Sequence, residues 1–298
     1  MYNGDKFIRS RLENILSQTF QDFKLIISDN ASTDMTPKIC QEFVSKDDRI
    51  QYFWQDNNIG GILNYIFVAN KSTTKYFVFA TADDKWSKTF LSKNIRVLDE
   101  NDSVVGSIGK IQWSDENIHD EQKLKPKINK LNNFQKKIQS FYGRIGSFSI
   151  MEKTYEDRAI IFLKELRRYD PSNILYSIFR TKALQKSIIS KVFVKEFYSS
   201  FWNNVCLNIL EYGNIKCSND VQIFYYAGGS GEGVTPITQY QKKQITLMQC
   251  IIPWSTQISW CIHKFGLKFF FKHFILFSQL FLQGEITFVH SIYRYLKK

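Results

Sequence analysis

Residues 17–34 read SQTFQDFKLIISDNASTD. A helix end, a short strand and an acidic turn follow one another in that stretch. The run FKLIIS (23–28) is apolar and β-branched at its centre, the composition of a strand covered on both faces. Asp29-Asn30-Ala31-Ser32 is turn-forming sequence. Asp34-Met35-Thr36-Pro37 then opens a helix, with Thr36 or Asp34 as cap and Pro37 in its first turn. Further on, YFVFA (76–80) repeats the apolar strand pattern and runs into Thr81-Ala82-Asp83-Asp84.

Working outward, Phe7, Ile8, Leu12, Ile15 and Leu16 recur at helical spacing and predict a helix over 5–19. Strands are expected at 49–54 and 104–113, and helices at 61–70 and 86–100. The alternation predicts an α/β fold, a mostly parallel sheet flanked by helices. Ligands of such sheets bind beyond the carboxyl ends of the strands. Asp29 and the Asp83-Asp84 pair each follow a strand end, so both are expected on one rim. In the second half, 115–140 reads as a polar, lysine-rich insertion and 173–180 as a strand. A helix starts at Thr181, another covers 201–212 and stops at Gly213, and 221–226 is a strand leading into a glycine-rich loop, 228–233. From 251 onward the texture is aromatic and basic. Leu267–Leu282 (LKFFFKHFILFSQLFL) is dense in Phe and Leu but broken by lysines. It suits either an amphipathic helix at a membrane interface or a helical pair packed on the domain.

The chain has 298 residues, 44% hydrophobic and 23% charged, enough for a sizeable core and not a disordered composition. A net charge of +12 favours anionic partners: nucleotide phosphates, nucleic acid or an anionic membrane. No nucleic-acid module is present, which leaves the other two. The five cysteines and four histidines show no metal-ligand spacing, and the cysteines read as reduced thiols. The opening residues are polar, and no apolar stretch has the length of a spanning helix. The expectation is a cytoplasmic protein, with peripheral contact at the cytoplasmic face of a membrane through its tail.

Paired carboxylates at a strand end suit a hard divalent cation, Mg or Mn, bridging diphosphate oxygens; they equally suit an acidic turn capping the next helix. Asp29 suits a contact to a nucleotide base or ribose, or an Asx-turn. Four glycines within 228–233 suit a loop closing over a substrate, or an ordinary hairpin.

Taken together, SQTFQDFKLIISDNASTD, then Asn57-Asn58-Ile59-Gly60, then YFVFATADDKW resemble the N-terminal half of family 2 glycosyltransferases, inverting enzymes of the GT-A fold. The resemblance is specific over residues 2–98 and looser through NILYSIFRT and LNILEYGNI. It implies a nucleotide-sugar donor (UDP-, GDP- or dTDP-sugar), a glycan or lipid-linked acceptor, and a role in polysaccharide biosynthesis. It implies that Asp29 and Asp83 bind the donor nucleotide and that Asp84 with Asp83 holds the metal. The division expected is a GT-A domain over 1–240, with a nucleotide-binding half 1–114 and an acceptor half 141–240, and a helical, aromatic and basic tail over 241–298.

Three departures from the family pattern stand out. The family has a strand ahead of Tyr2-Asn3-Gly4, and here the chain starts inside that motif. The helix GGILNYIFVAN lacks the family's donor-contacting Arg, with Asn64 as a polar substitute. The position of the family's general base falls on Trp202, flanked by Asn203 and Asn204. Glu196 and Glu232 are the nearby carboxylates. The alternative to an active enzyme is therefore a catalytically inactive relative acting as a binding or scaffold subunit.

Overall fold

The computed structural model describes residues 1–114, 146–166, 171–188, 198–226 and 255–282. The expected insertion and the glycine-rich loop, and with them Glu232, lie outside these residues, as does Glu196.

The N-terminal half alternates as expected: α1 (Asp5–Leu16), β1 (Leu25–Asp29), α2 (Thr36–Val44), β2 (Ile50–Trp54) and α3 (Gly61–Lys71). Strand β1 pairs with β2 in parallel, Leu25 opposite Ile50 and Asp29 opposite Trp54. β3 (Tyr76–Phe77), β4 (Lys85–Trp86), α4 (Phe90–Glu100) and β5 (Val104–Ser114) follow. The second half contributes α5 (Tyr155–Glu165), a 3-10 turn (Pro171–Tyr176), β6 (Ile178–Arg180), α6 (Thr181–Ile188), α7 (Tyr198–Ile209) and β7 (Asn214–Tyr226). The tail forms α8 (Ser255–Phe265), α9 (Leu267–Lys272) and a helical run over 274–282.

Among the described residues the strands form two sheets: β1-β2, and a five-stranded sheet in the order β3-β6-β5-β7-β4. Both long pairings, β1-β2 and β5-β7, are parallel. The three antiparallel pairings span two residues each. The α/β class holds, and the parallel ladders dominate by length.

Four local expectations are corrected. The strand expected over 76–80 pairs only through Phe77, because β6 is three residues long and the next residues border a cavity. The helix expected from Trp86 begins at Phe90, because Lys85 and Trp86 are drawn into the sheet against Phe224 and Ile223. The strand expected over 173–180 is a 3-10 turn followed by three strand residues. The last strand starts at Asn214 rather than at residue 221, since residues 214–218 pair with the start of β5. At Gly109, where the β5-β7 register shifts, an added Cβ would meet the Val221 carbonyl oxygen at 2.8 Å.

Two apolar clusters carry the fold. Ile8, Leu12, Ile27, Cys40 and Ile50 pack α1 and α2 onto the small sheet. The larger cluster joins α4, α5, α6, α7 and the five-stranded sheet, and reaches the tail through Trp260, Phe269, Phe277 and Leu280. Helix α1 enters both, since Ile15 lies in the larger cluster. It therefore fixes the small sheet against the rest of the molecule.

Candidate active site

A cavity of about 1950 Å³ lies between β1 and residues 76–80. It is roughly twice the upper range usual for a small-molecule pocket. Ser28, Asn30, Asn58, Asn64 and Asp83 line it together with the segment Met1–Gly4 and apolar side chains of both sheets.

That N-terminal segment is hydrogen-bonded to the region after β1 and lies beside the second acidic loop. On one side, the Asn3 N–H donates to Ser32 Oγ at 2.8 Å and the Gly4 N–H to Thr36 Oγ1 at 2.8 Å. On the other, a Cβ added at Gly4 would touch the Ala82 side chain at 3.8 Å. The loops after β1 and before β4 thus flank one strip of backbone, as expected for a shared rim.

Asp29 is fully buried. One carboxylate oxygen accepts the Ser32 N–H at 2.9 Å, and the other accepts the Tyr52 hydroxyl at 2.9 Å. Burial, then this bond to Asp29, pushes the Tyr52 phenol well above its ordinary pKa. Burial followed by the Asp29 charge raises the Cys40 thiol to about 12, so it stays protonated. Between Asp29 and Ser32, Ala31 sits at φ +62°, a left-handed conformation costing a non-glycine residue about 1–2 kcal/mol. The Asp29–Ser32 bond closes the turn across it. Asp29 therefore organises its own loop, which meets the cavity through its neighbours Ser28 and Asn30.

Asn30 extends the same loop outward. Its amide donates to Asn58 Oδ1 at 2.8 Å, and its oxygen accepts the Ile59 N–H at 2.9 Å. Asn64 lines the cavity but is 7% exposed, its oxygen accepting the Ser28 hydroxyl at 2.6 Å. It ties α3 to β1.

The second loop carries the paired acids. Asp83 is half-buried and lines the cavity. Asp84 is 2% exposed and accepts the Thr81 hydroxyl at 2.5 Å. Behind them lies a residue the sequence reading missed, Arg11, 2% exposed. Its Nε donates to the Thr81 carbonyl at 2.9 Å and its Nη1 to Asn14 Oδ1 at 2.9 Å. The guanidinium stands 4.1 Å from the centre of the Trp86 ring. Asn14 in turn accepts the Trp86 N–H and donates to the Trp86 carbonyl, both at 2.9 Å. Helix α1 thereby grips both ends of the acidic loop. Burial pulls the Arg11 pKa down to about 10, against the attraction of Asp84 and Asp83. Tyr176 also belongs here, its phenol pushed well up by burial and then by Asp84. An arginine on the apolar face of α1, between Ile8 and Ile15, was the available signal.

At the expected base position, Trp202, Asn203 and Asn204 are all buried. The Trp202 ring packs edge-on against Tyr65 and Phe79, at 5.2 and 5.8 Å. This part of α7 is core.

The sequence profile described as glycosyl transferase family 2 matches residues 1–193. The chain belongs to glycosyltransferase family 2. Among curated relatives of this family 2 chain, glycosyltransferase GlyG of Streptococcus pneumoniae is 26% identical over 121 residues, covering 40% of each protein. Teichoic acid poly(glycerol phosphate) polymerase of Staphylococcus epidermidis is 30% identical over 108 residues, 36% of this chain and 15% of that one. The matched segments thus span well under half of either relative. The fold resembles the mannosyltransferase PcManGT of Pyrobaculum calidifontis, solved with GDP-Man and Mn2+, with TM-score 0.54, 12% identity, and coverage of 100% of this chain and 73% of that one. It also resembles S. aureus TarS 1-349, solved with UDP-GlcNAc, with TM-score 0.53, 18% identity, and coverage of 81% and 62%. This is the GT-A fold.

Among the described residues, no cluster of three His, Cys, Asp or Glu side chains forms a self-sufficient metal site. The donor set fits a looser mode, in which one or two carboxylates hold Mg²⁺ or Mn²⁺ together with substrate phosphates. Asp83 offers a hard oxygen at the cavity wall, and Asp84 lies next to it in the chain.

Proposed function

We propose that this family 2 protein transfers a sugar, with inversion, from a nucleotide diphosphate donor to a hydroxyl of a glycan or lipid-linked acceptor. One observation carries the reading: the Asp29 loop, through Asn30, and the Asp83-Asp84 loop, through Asp83, line a single cavity together with Met1–Gly4. The two structural neighbours, solved with UDP-GlcNAc and with GDP-Man and Mn2+, support the donor class. The name of the teichoic acid relative supports a cell-envelope polymer as product.

The Asp29 loop shapes the base and ribose end of the cavity. Asp83, with Asp84, would hold a divalent cation against the donor pyrophosphate; when bound, that cation neutralises charge on the leaving diphosphate. The acceptor oxygen attacks the anomeric carbon, the bond to the diphosphate breaks, and the hydroxyl proton passes to a general base. Glu196 and Glu232 are the candidates for that base.

The test is binding of UDP-, GDP- and dTDP-sugars with and without Mn²⁺, by calorimetry. One donor is expected to bind in a Mn²⁺-dependent way, and Asp83→Ala to weaken it by at least about tenfold, ~1.4 kcal/mol. Absence of binding by every donor sinks the reading. The buried Trp202–Asn204 stretch favours a second reading, a relative that binds the donor without turnover. Transfer or donor hydrolysis with Mn²⁺, abolished in Asp84→Ala, would refute that second reading.

A further inference from the structure

The helical tail has two apolar faces, and the domain uses one. Phe269, Phe277 and Leu280 point inward and are buried. Leu267, Phe271, Phe274 and Ile275 are 59%, 69%, 56% and 74% exposed. Their spacing, i, i+4, i+7 and i+8, puts them on one helical stripe. The His273 N–H bonded to the Phe269 carbonyl, and the Phe277 N–H to the His273 carbonyl, carry the helix across the turn at His273. Phe281 and Leu282, 41% and 61% exposed, prolong the apolar surface. Four large apolar side chains so exposed on one stripe form an uncovered patch, not scattered surface residues.

The chemistry of the surroundings selects the partner. Between Glu232 and Glu285 the sequence contains no carboxylate. Lys264 and Lys272 bond to Glu211 and Glu156 of the domain, at 2.7 and 2.8 Å, and so set which face of the tail turns outward. Lys268 is exposed beside the stripe and forms no ion pair with a described residue. A second copy of the chain would bring its own carboxylate-free tail, lysine against lysine. No helix among the described residues is long and apolar enough to cross a membrane.

We propose that this face seats on an anionic lipid bilayer. Leu267, Phe271, Phe274 and Ile275 enter the headgroup boundary with the helix in the plane of the surface, and Lys268 lies at the level of the lipid phosphates. Lipid contact requires neither donor nor acceptor, so its test is independent of the proposed activity.

The test is flotation of the full chain with vesicles of phosphatidylcholine alone and with added phosphatidylglycerol. The expected result is partition at least about tenfold stronger into anionic vesicles, weakened at high salt. Phe271→Ser with Ile275→Ser removes exposed side chains; the double variant is expected to keep the wild-type melting temperature and lose partition by at least about tenfold. Failure of the wild type to float with anionic vesicles overturns the proposal, as does a double variant that floats like wild type. A wild-type dimer that the double variant turns into a monomer, with no vesicle binding, would make the stripe a self-interface instead.

Discussion

Met1 and Asp29 face each other as one rung of a parallel ladder. The Met1 ammonium donates to the Ser28 carbonyl at 2.6 Å, and the Asn30 N–H donates to the Met1 carbonyl at 2.7 Å. Met1 thus lies in register with β1 on the side away from β2, where β1 borders the cavity and pairs with no other described strand.

A chain lengthened at Met1 by five β-branched residues is expected to continue that ladder along Leu25–Asp29. Unfolding in urea should show a gain of about 2 kcal/mol or more from the added backbone bonds and apolar burial. The same extension with alternating prolines should give none. The rung also has a pH signature. Burial lowers the Met1 ammonium pKa, against the attraction of Asp29. The unfolded chain therefore binds more protons below its ordinary pKa, and stability rises as pH climbs toward ~8. The lengthened chain lacks this slope; an identical slope in both would remove the assignment.

Arg11→Met is expected to destabilise the protein by about 2 kcal/mol through loss of two charge-assisted hydrogen bonds and the contact with Trp86. Because Arg11 holds the Thr81 carbonyl, the acidic loop should loosen selectively. Hydrogen exchange at 81–86 should quicken more than at 104–108. Uniform quickening would mean that Arg11 supports the core and not this loop.

Tyr52→Phe frees one oxygen of Asp29 and should cost about 1 kcal/mol of stability. Because Tyr52 does not line the cavity, donor affinity is expected to hold. A drop of tenfold or more would show that the hydroxyl serves the donor.

Asp34 accepts the Thr36 N–H at 2.9 Å and the Asp5 N–H at 3.1 Å, joining the starts of α2 and α1. Burial raises its pKa, but these bonds outweigh it and the net shift is downward. A depressed carboxylate stabilises fully above the ordinary value and loses that contribution as pH falls through the folded one. Asp34→Ala should therefore cost about 1 kcal/mol at neutral pH, with the gap to wild type closing below pH ~4. A gap unchanged at low pH would assign the loss to packing.

Much of this was readable locally. The helical repeat of Ile8, Leu12 and Ile15 and the β-branched centre of β1 follow from periodicity, because each element buries one side against a core. Asp29 was placed at a strand end by the same alternation; the Asp83-Asp84 pair was expected at one too, but β3 stops at Phe77 and the pair lies just ahead of β4. The short β4 was hidden, because Lys85-Trp86 becomes strand only by pairing with Phe224 and Ile223 far along the chain. The bond between Asn64 and Ser28 was hidden for a similar reason.

By itself the sequence determined the order of elements, the acidic loop residues, the family and the basic character of the tail. Those properties are written in spacing and side-chain type. Tertiary structure alone decided that both oxygens of Asp29 are taken by Ser32 and Tyr52, that Arg11 stands under Thr81, and that one apolar stripe of the tail faces outward. Each depends on groups far apart in the chain meeting at hydrogen-bond distance or failing to be covered, and no local pattern encodes which distant neighbour arrives.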